Sequence, residues 1–132
     1  MSEEMYTEMI LDYYRNPKNF GEIDNPDIKA RDTNPLCGDV IEMHLKLNGN
    51  SLIEQARFSG KGCAISQAAA SMLTEQLEGK SLEDVQRIGK EDVLSMLGVP
   101  ISAVRLKCAL LGLKVAKLGV YTFLGKQMEE EI

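Results

Sequence analysis

Cysteine occurs three times in this chain, and the surroundings of the three constrain the fold more than any other feature. Cys37 lies in Asn34-Pro35-Leu36-Cys37-Gly38-Asp39, a thiol two residues before a carboxylate and just ahead of an alternating apolar pattern. Cys63 follows a glycine-lysine-glycine turn in Gly60-Lys61-Gly62-Cys63-Ala64, and Cys108 sits in the basic run Arg105-Leu106-Lys107-Cys108-Ala109. Three thiolates and one carboxylate make a four-coordinate set for a soft or borderline metal ion, provided the fold gathers positions far apart in sequence. Any one of the cysteines alone reads as a small buried apolar side chain. An odd number of them, with no signal peptide in view, argues against a disulfide framework and leaves metal binding, thiol chemistry or burial.

Length and charge narrow the function classes. The 132 residues suit one domain, expected to span 1–132, with enough chain to bury a core. Aromatic residues make up 5% and tryptophan is absent, so that core is built from Leu, Ile, Val, Met and Ala. A net charge of -5 and a pI near 4.9 argue against a nucleic-acid surface, which needs clustered Lys and Arg. The N-terminus is acidic where a secretory signal would be basic, and Lys114 and Lys117 interrupt the best apolar run, so no membrane span is expected. These features read as a soluble cytoplasmic protein.

Apolar spacing gives the elements. Met5, Tyr6, Met9, Ile10 and Tyr13 recur as on a helix from Glu3 to Arg15, which Asn16-Pro17 ends. Residues 18–27 lack periodicity and form a connection. A short strand is expected from Ile28 to Thr33. Ile41, Met43, Leu45 and Leu47 alternate with polar residues as a second strand, and after the Asn48-Gly49-Asn50 turn a third runs from Leu52 to Ser59, with Leu52, Ala56 and Phe58 facing one side. An alanine-rich helix spans Ala64 to Glu78 and stops at Gly79. Ser81 and Asp84 resemble a capping box for a helix to about Ile88, Glu91 to Leu97 forms another, and a long helix follows Ser102 to Phe123. The class is α+β: a small three-stranded antiparallel sheet packed against several helices.

Cys63 at a helix start and Cys108 just after Arg105 and Lys107 are both placed to favour a thiolate. Gly38 permits an unusual turn that lets Asp39 reach the same point as Cys37. Plainer readings stand beside these: a Cys-Gly-Asp turn in which Asp39 accepts backbone N–H groups, Gly60 and Gly62 as loop devices, and Lys107 as a solvated helix residue. His44, the single histidine, falls on the polar side of its strand and reads as exposed rather than ligating.

Taken together, Asn34 to Asp39, Ala56-Arg57-Phe58 leading to Gly62-Cys63-Ala64-Ile65-Ser66, Gly79-Lys80-Ser81-Leu82 and Arg105-Leu106-Lys107-Cys108 resemble the IscU/NifU-type iron–sulfur cluster scaffolds. Leu11-Asp12-Tyr13-Tyr14-Arg15-Asn16-Pro17-Lys18-Asn19 resembles that family's N-terminal segment, so the likeness runs along essentially the whole chain in order. The resemblance implies a SufE/NifU-like fold in which the cysteines meet Asp39 at one exposed end. It further implies assembly of a [2Fe-2S] cluster from iron and from persulfide sulfur supplied by a cysteine desulfurase, then transfer to apo-proteins. Cys37, Cys63 and Cys108 would be the thiolate ligands and Asp39 the fourth group; which cysteine first takes sulfur is left open by the sequence, and Cys108, beside the basic Arg105 and Lys107, is the candidate acceptor with Lys107 an auxiliary residue.

Two features part the chain from the Isc branch. Lys107 stands where a histidine usually precedes the third cysteine, as in SufU proteins, and Val99-Pro100-Ile101-Ser102-Ala103 replaces the Leu-Pro-Pro-Val-Lys chaperone motif. The segment that SufU proteins insert between the second and third cysteines is absent. The expected function is a scaffold and carrier without turnover of its own; the alternative is a zinc-dependent, SufU-like sulfurtransferase in which zinc occupies the cluster's place. With three thiolates, a homodimer sharing one cluster and a monomer closed by Asp39 both stay open.

Overall fold

A computed structural model of the chain describes residues 6–36, 38–128 and 132. Helix α1 runs from Glu8 to Arg15, and its start differs from the expected Glu3. Thr7 is the reason: its backbone is extended, and its Oγ1 accepts the Ile10 N–H at 3.3 Å, capping the helix there. Residues 1–5 lie outside the described part.

Strands β1 (Ile28–Asn34), β2 (Asp39–Leu47) and β3 (Ile53–Lys61) form an antiparallel meander in the order β1-β2-β3. Ile41, Met43 and Leu45 of β2 are buried on one face, as alternation requires. The third strand departs from the expected phase. Lys46 pairs with Gln55 but Leu47 with Ile53, so one extra residue in β3 flips the alternation and buries Ile53 together with Ala56 and Phe58, in place of Leu52.

Four further helices follow among the described residues: α2 (Ala64–Leu77), α3 (Leu82–Arg87), α4 (Lys90–Leu97) and α5 (Ala103–Phe123). Ser81 and Asp84 make the expected capping box, and Gly98 ends α4 in the left-handed conformation. Helices α2 and α5 pack on the buried face of the sheet and on each other. The approach is close at two glycines: a Cβ on Gly112 would lie 3.3 Å from Ala70, and one on Gly119 would lie 2.8 Å from Ile28. The core is the expected mixture of aliphatic, Met and Ala side chains, with Phe58 fully buried.

The 18–27 connection covers much of what the helices leave open. Its backbone pairs with β3, as Phe58 N–H donates to Asn19 O at 3.0 Å and Gly21 N–H to Phe58 O at 2.8 Å, so this sheet edge is not left bare. Phe20 meets the Phe58 ring edge to face, with centroids 5.3 Å apart.

An ion pair ties β1 to α5, with Lys114 Nζ 2.9 Å from Asp32 Oδ2. Burial pushes the Asp32 carboxyl up, but the Lys114 hydrogen bond, the Thr33 N–H and the Lys114 charge together hold it below its ordinary value. A lowered folded value means stability that is present above the ordinary aspartate range and lost as pH falls through the folded value. Both groups are partly exposed, so Asp32→Asn is expected to cost only about 0.5 kcal/mol in urea unfolding at neutral pH, and nothing at a pH below the folded value.

Candidate functional site

The meander and the two long helices converge at one end of the sheet. Asp39 opens β2, Cys63 is the N-cap of α2, and Cys108 lies in the second turn of α5. Two thiol sulfurs and a carboxylate oxygen, from Asp39, Cys63 and Cys108, lie within 4.8 Å of one another. Cys37 is outside the described residues.

The carboxylate is the most enclosed member, with Asp39 at 0% exposure. Its Oδ1 accepts the Cys63 N–H at 2.9 Å, and its Oδ2 lies 3.8 Å from Cys63 Sγ. A carboxylate facing the first N–H groups of α2 is where the helix dipole favours negative charge. Gly62 makes room for it, since a Cβ there would fall 2.1 Å from Asp39 Oδ1. Cys63 is half-buried, whereas Cys108 is 1% exposed.

Asn34 and Arg105 complete the surroundings. Asn34 Nδ2 is 3.8 Å from Cys108 Sγ, while its Oδ1 accepts the Leu36 N–H and its carbonyl accepts the Gly38 N–H, organising the turn on either side of position 37. Arg105 hydrogen-bonds Cys108 and feels the charge of Cys63 and Tyr6, and these raise its pKa above the ordinary arginine value. An interaction with a raised folded pKa is fully present below the ordinary value and is lost only at still higher pH, so Arg105 itself stays charged throughout the working range.

Of the two basic neighbours of Cys108, then, Arg105 faces the thiols. Lys107 is exposed and its Nζ lies 3.3 Å from the Ile132 carbonyl. The helical period explains it: Arg105 and Cys108 are three residues apart and share a face, while adjacent residues diverge by about 100°. Asn34 stood within the sequence motif but without a role, because its contact with Cys108 depends on how α5 docks.

His44 departs from its expected exposure and is 4% exposed. With Glu22 and Glu42 it forms a second group whose ligand atoms lie within 4.8 Å. Its Nδ1 accepts the Ile23 N–H at 3.0 Å, which puts the ring proton of the neutral form on Nε2, and Nε2 lies 2.9 Å from Glu42 Oε2. Both ring nitrogens are thus committed, one to the connection and one to a carboxylate. His44 pins residues 18–27 to the outer face of β2 and offers no lone pair to a metal.

The family model of the NifU-like N-terminal domain matches residues 5–130. The chain belongs to this family. Among curated relatives, this NifU-like chain is 36% identical to the zinc-dependent sulfurtransferase SufU of Bacillus subtilis, covering 89% of the chain and 90% of the relative. It is 34% identical to the iron–sulfur cluster assembly scaffold protein IscU of Escherichia coli K12, covering 92% and 96%. The SufU alignment has 135 positions, more than the part of this chain it covers, so that relative carries residues missing here. Among solved structures, a putative iron–sulfur cluster assembly scaffold for the SUF system from Fervidobacterium islandicum matches with a TM-score of 0.74 and 26% identity over 91% of this chain and 99% of that one. The N-terminal part of a Brucella abortus NifU-like protein matches with a TM-score of 0.79 over 95% and 98%; at 18% identity it supports the α+β fold alone. No helix among the described residues is long and apolar enough to cross a membrane.

Proposed function

We propose that this chain is a scaffold on which a transient [2Fe-2S] cluster is assembled from iron and cysteine-desulfurase-derived sulfur and then passed to apo-proteins in the cytoplasm. The observation that carries the proposal is the convergence of Asp39, Cys63 and Cys108 within 4.8 Å at one end of the sheet. Cys37, Cys63 and Cys108 supply thiolates and Asp39 the fourth group. A carboxylate is a harder and weaker partner for iron than a fourth thiolate, so a recipient's cysteines can displace it. The donor set suits a cargo that must leave.

Cys108 is the proposed sulfur acceptor. Its thiolate attacks the outer sulfur of the desulfurase persulfide, the desulfurase cysteine leaves as a thiolate, and the transferred sulfur stays on Cys108. Arg105 stabilises the attacking anion. Because Cys108 is covered, its sulfur is reached once the groups over it, Asn34 among them, draw aside. Leu36, 90% exposed beside Cys37, and Val104, exposed beside Arg105, offer apolar surface to a partner at this rim.

A second reading is favoured by the SufU relative and by Lys107: zinc takes the same ligands, and the chain acts as a sulfurtransferase. The residues that SufU carries and this chain lacks favour the scaffold.

The test is iron, zinc and acid-labile sulfide content, with a visible spectrum, on protein purified without oxygen. Iron and sulfide in equal amounts with thiolate-to-iron absorption are expected. Zinc without sulfide, together with stimulation of a desulfurase by the zinc form, would favour the second reading. Single replacement of Cys37, Cys63 or Cys108 by Ser is expected to lower cluster yield in anaerobic reconstitution; an unchanged yield removes that cysteine from the ligand set.

A further inference from the structure

Gln67 is 7% exposed, and its Nε2 has no hydrogen-bond partner among the described residues. A buried donor left unmet costs folding free energy that a leucine of similar size would avoid. Its place in the fold suggests what the donor waits for. Gln67 lies one turn beyond Cys63, whose carbonyl accepts the Gln67 N–H at 3.1 Å. Further along the same stripe of α2, Ala70 packs against Gly112 of α5, and Gly112 is one turn beyond Cys108.

The stripe 63-67-70 of α2 therefore runs beside the stripe 108-112 of α5, with Gln67 between the two cysteines and the Ala70–Gly112 contact. Side chains on a helix lean toward its N-terminus, and for Gln67 on this stripe that direction is the end of α2 where Cys63 stands. Neither Cys63 nor Cys108 accepts from it. Among the described residues the donor is thus left open to a group bound at the site.

We propose that Gln67 Nε2 donates a hydrogen bond to the sulfur atom the site carries in addition to its own cysteines, either the sulfide of a cluster or the outer sulfur of a persulfide. The proposal rests on the scaffold reading above and adds a residue to it. Hydrogen bonds to sulfur stabilise its anionic form and tune a cluster, as do other partners just outside the ligands. A metal ion alone adds no acceptor atom beyond the cysteine sulfurs already present, so zinc affinity is expected to be independent of Gln67.

The test uses the full chain and Gln67→Leu, with Gln67→Met as a second variant in case the leucine branch does not fit. In the iron and sulfide arm, chelator-driven loss of visible absorption is expected to be about 5- to 10-fold faster in the variants, the worth of one ordinary hydrogen bond. In the metal-free polysulfide arm, the Gln67 side-chain amide proton is expected to move downfield in the wild type, and cyanide is expected to strip the added sulfur several-fold faster from the variants. In the zinc arm, affinity is expected to change less than about twofold, and the metal-free variants are expected to melt no lower than wild type.

An effect in the first arm only assigns the cluster sulfide, and one in the second only assigns the persulfide. Equal kinetics in both arms overturns the proposal, as does a matching loss of zinc affinity or a lowered melting temperature, which would mark Gln67 as structural. Failure of the scaffold reading looks different: the wild type itself takes up neither iron with sulfide nor added sulfur.

Discussion

Gly60→Ala is expected to destabilise the chain by about 3 kcal/mol or more, read as a drop in the urea midpoint, because the added methyl meets backbone that cannot yield. Gly60 has φ +143°, and a Cβ there would fall 2.0 Å from the Val40 carbonyl oxygen on the paired strand. Gly62→Ala, two residues on, acts on the site instead. Its Cβ would lie 2.1 Å from Asp39 Oδ1 and 2.9 Å from Ser66 Oγ, so the buried carboxylate must turn away and release the Cys63 N–H. Loss of metal and cluster uptake by a chain that still folds is the expected result for Gly62→Ala. Gly38→Ala is the control: at φ +72° with nothing within 4 Å, it is expected to cost about 1 kcal/mol of local strain only. Equal stability losses for Gly60→Ala and Gly38→Ala would show that the strand yields and that the argument from close approach is wrong.

The second large effect concerns Asp39, whose replacement is expected to separate stability from release. Asp39→Ala leaves the Cys63 N–H without its acceptor in a buried place, so the metal-free chain is expected to lose about 1–3 kcal/mol. The loaded variant is nevertheless expected to give up its cluster to an apo-ferredoxin more slowly than wild type, if the carboxylate is what keeps the site labile. Asp39→Asn retains an oxygen toward Cys63 and removes the charge, so it is expected to recover most of the stability while still releasing slowly. Following absorption of the recipient during transfer, with urea unfolding alongside, reads both. Faster discharge from either variant would count against the labile-ligand role.

Much of this protein was legible before any coordinates. Apolar periodicity set the helices and strands because burial on one face imposes a period of about 3.6 or 2 residues on the chain itself. Glycine at positions 60 and 62, Ser81 with Asp84, and Gly79 after the alanine-rich helix marked boundaries through local backbone chemistry that needs no distant partner. Apart from the start of α1, set by the local Thr7 cap, the departures came from neighbours remote in sequence. The extra residue in β3 shows only against β2, where Lys46 meets Gln55 and Leu47 meets Ile53. His44 looked like an exposed residue of a half-polar strand, yet the 18–27 connection folds over it and takes its Nδ1.

The candidate site divides the same way. Residue types and their settings, three thiols and a carboxylate beside turns and helix starts, were enough to nominate the ligand set. Only the docking of α2 and α5 on the sheet decides that Asp39, Cys63 and Cys108 share one point, that the face of α5 shared by Arg105 and Cys108 is the one turned to the site, and that Gln67 is buried with its donor unmet among the described residues. Sequence carries what each residue can do chemically and what its immediate backbone prefers. Proximity between residues tens of positions apart is settled by how the elements pack, and packing follows from the whole buried surface at once.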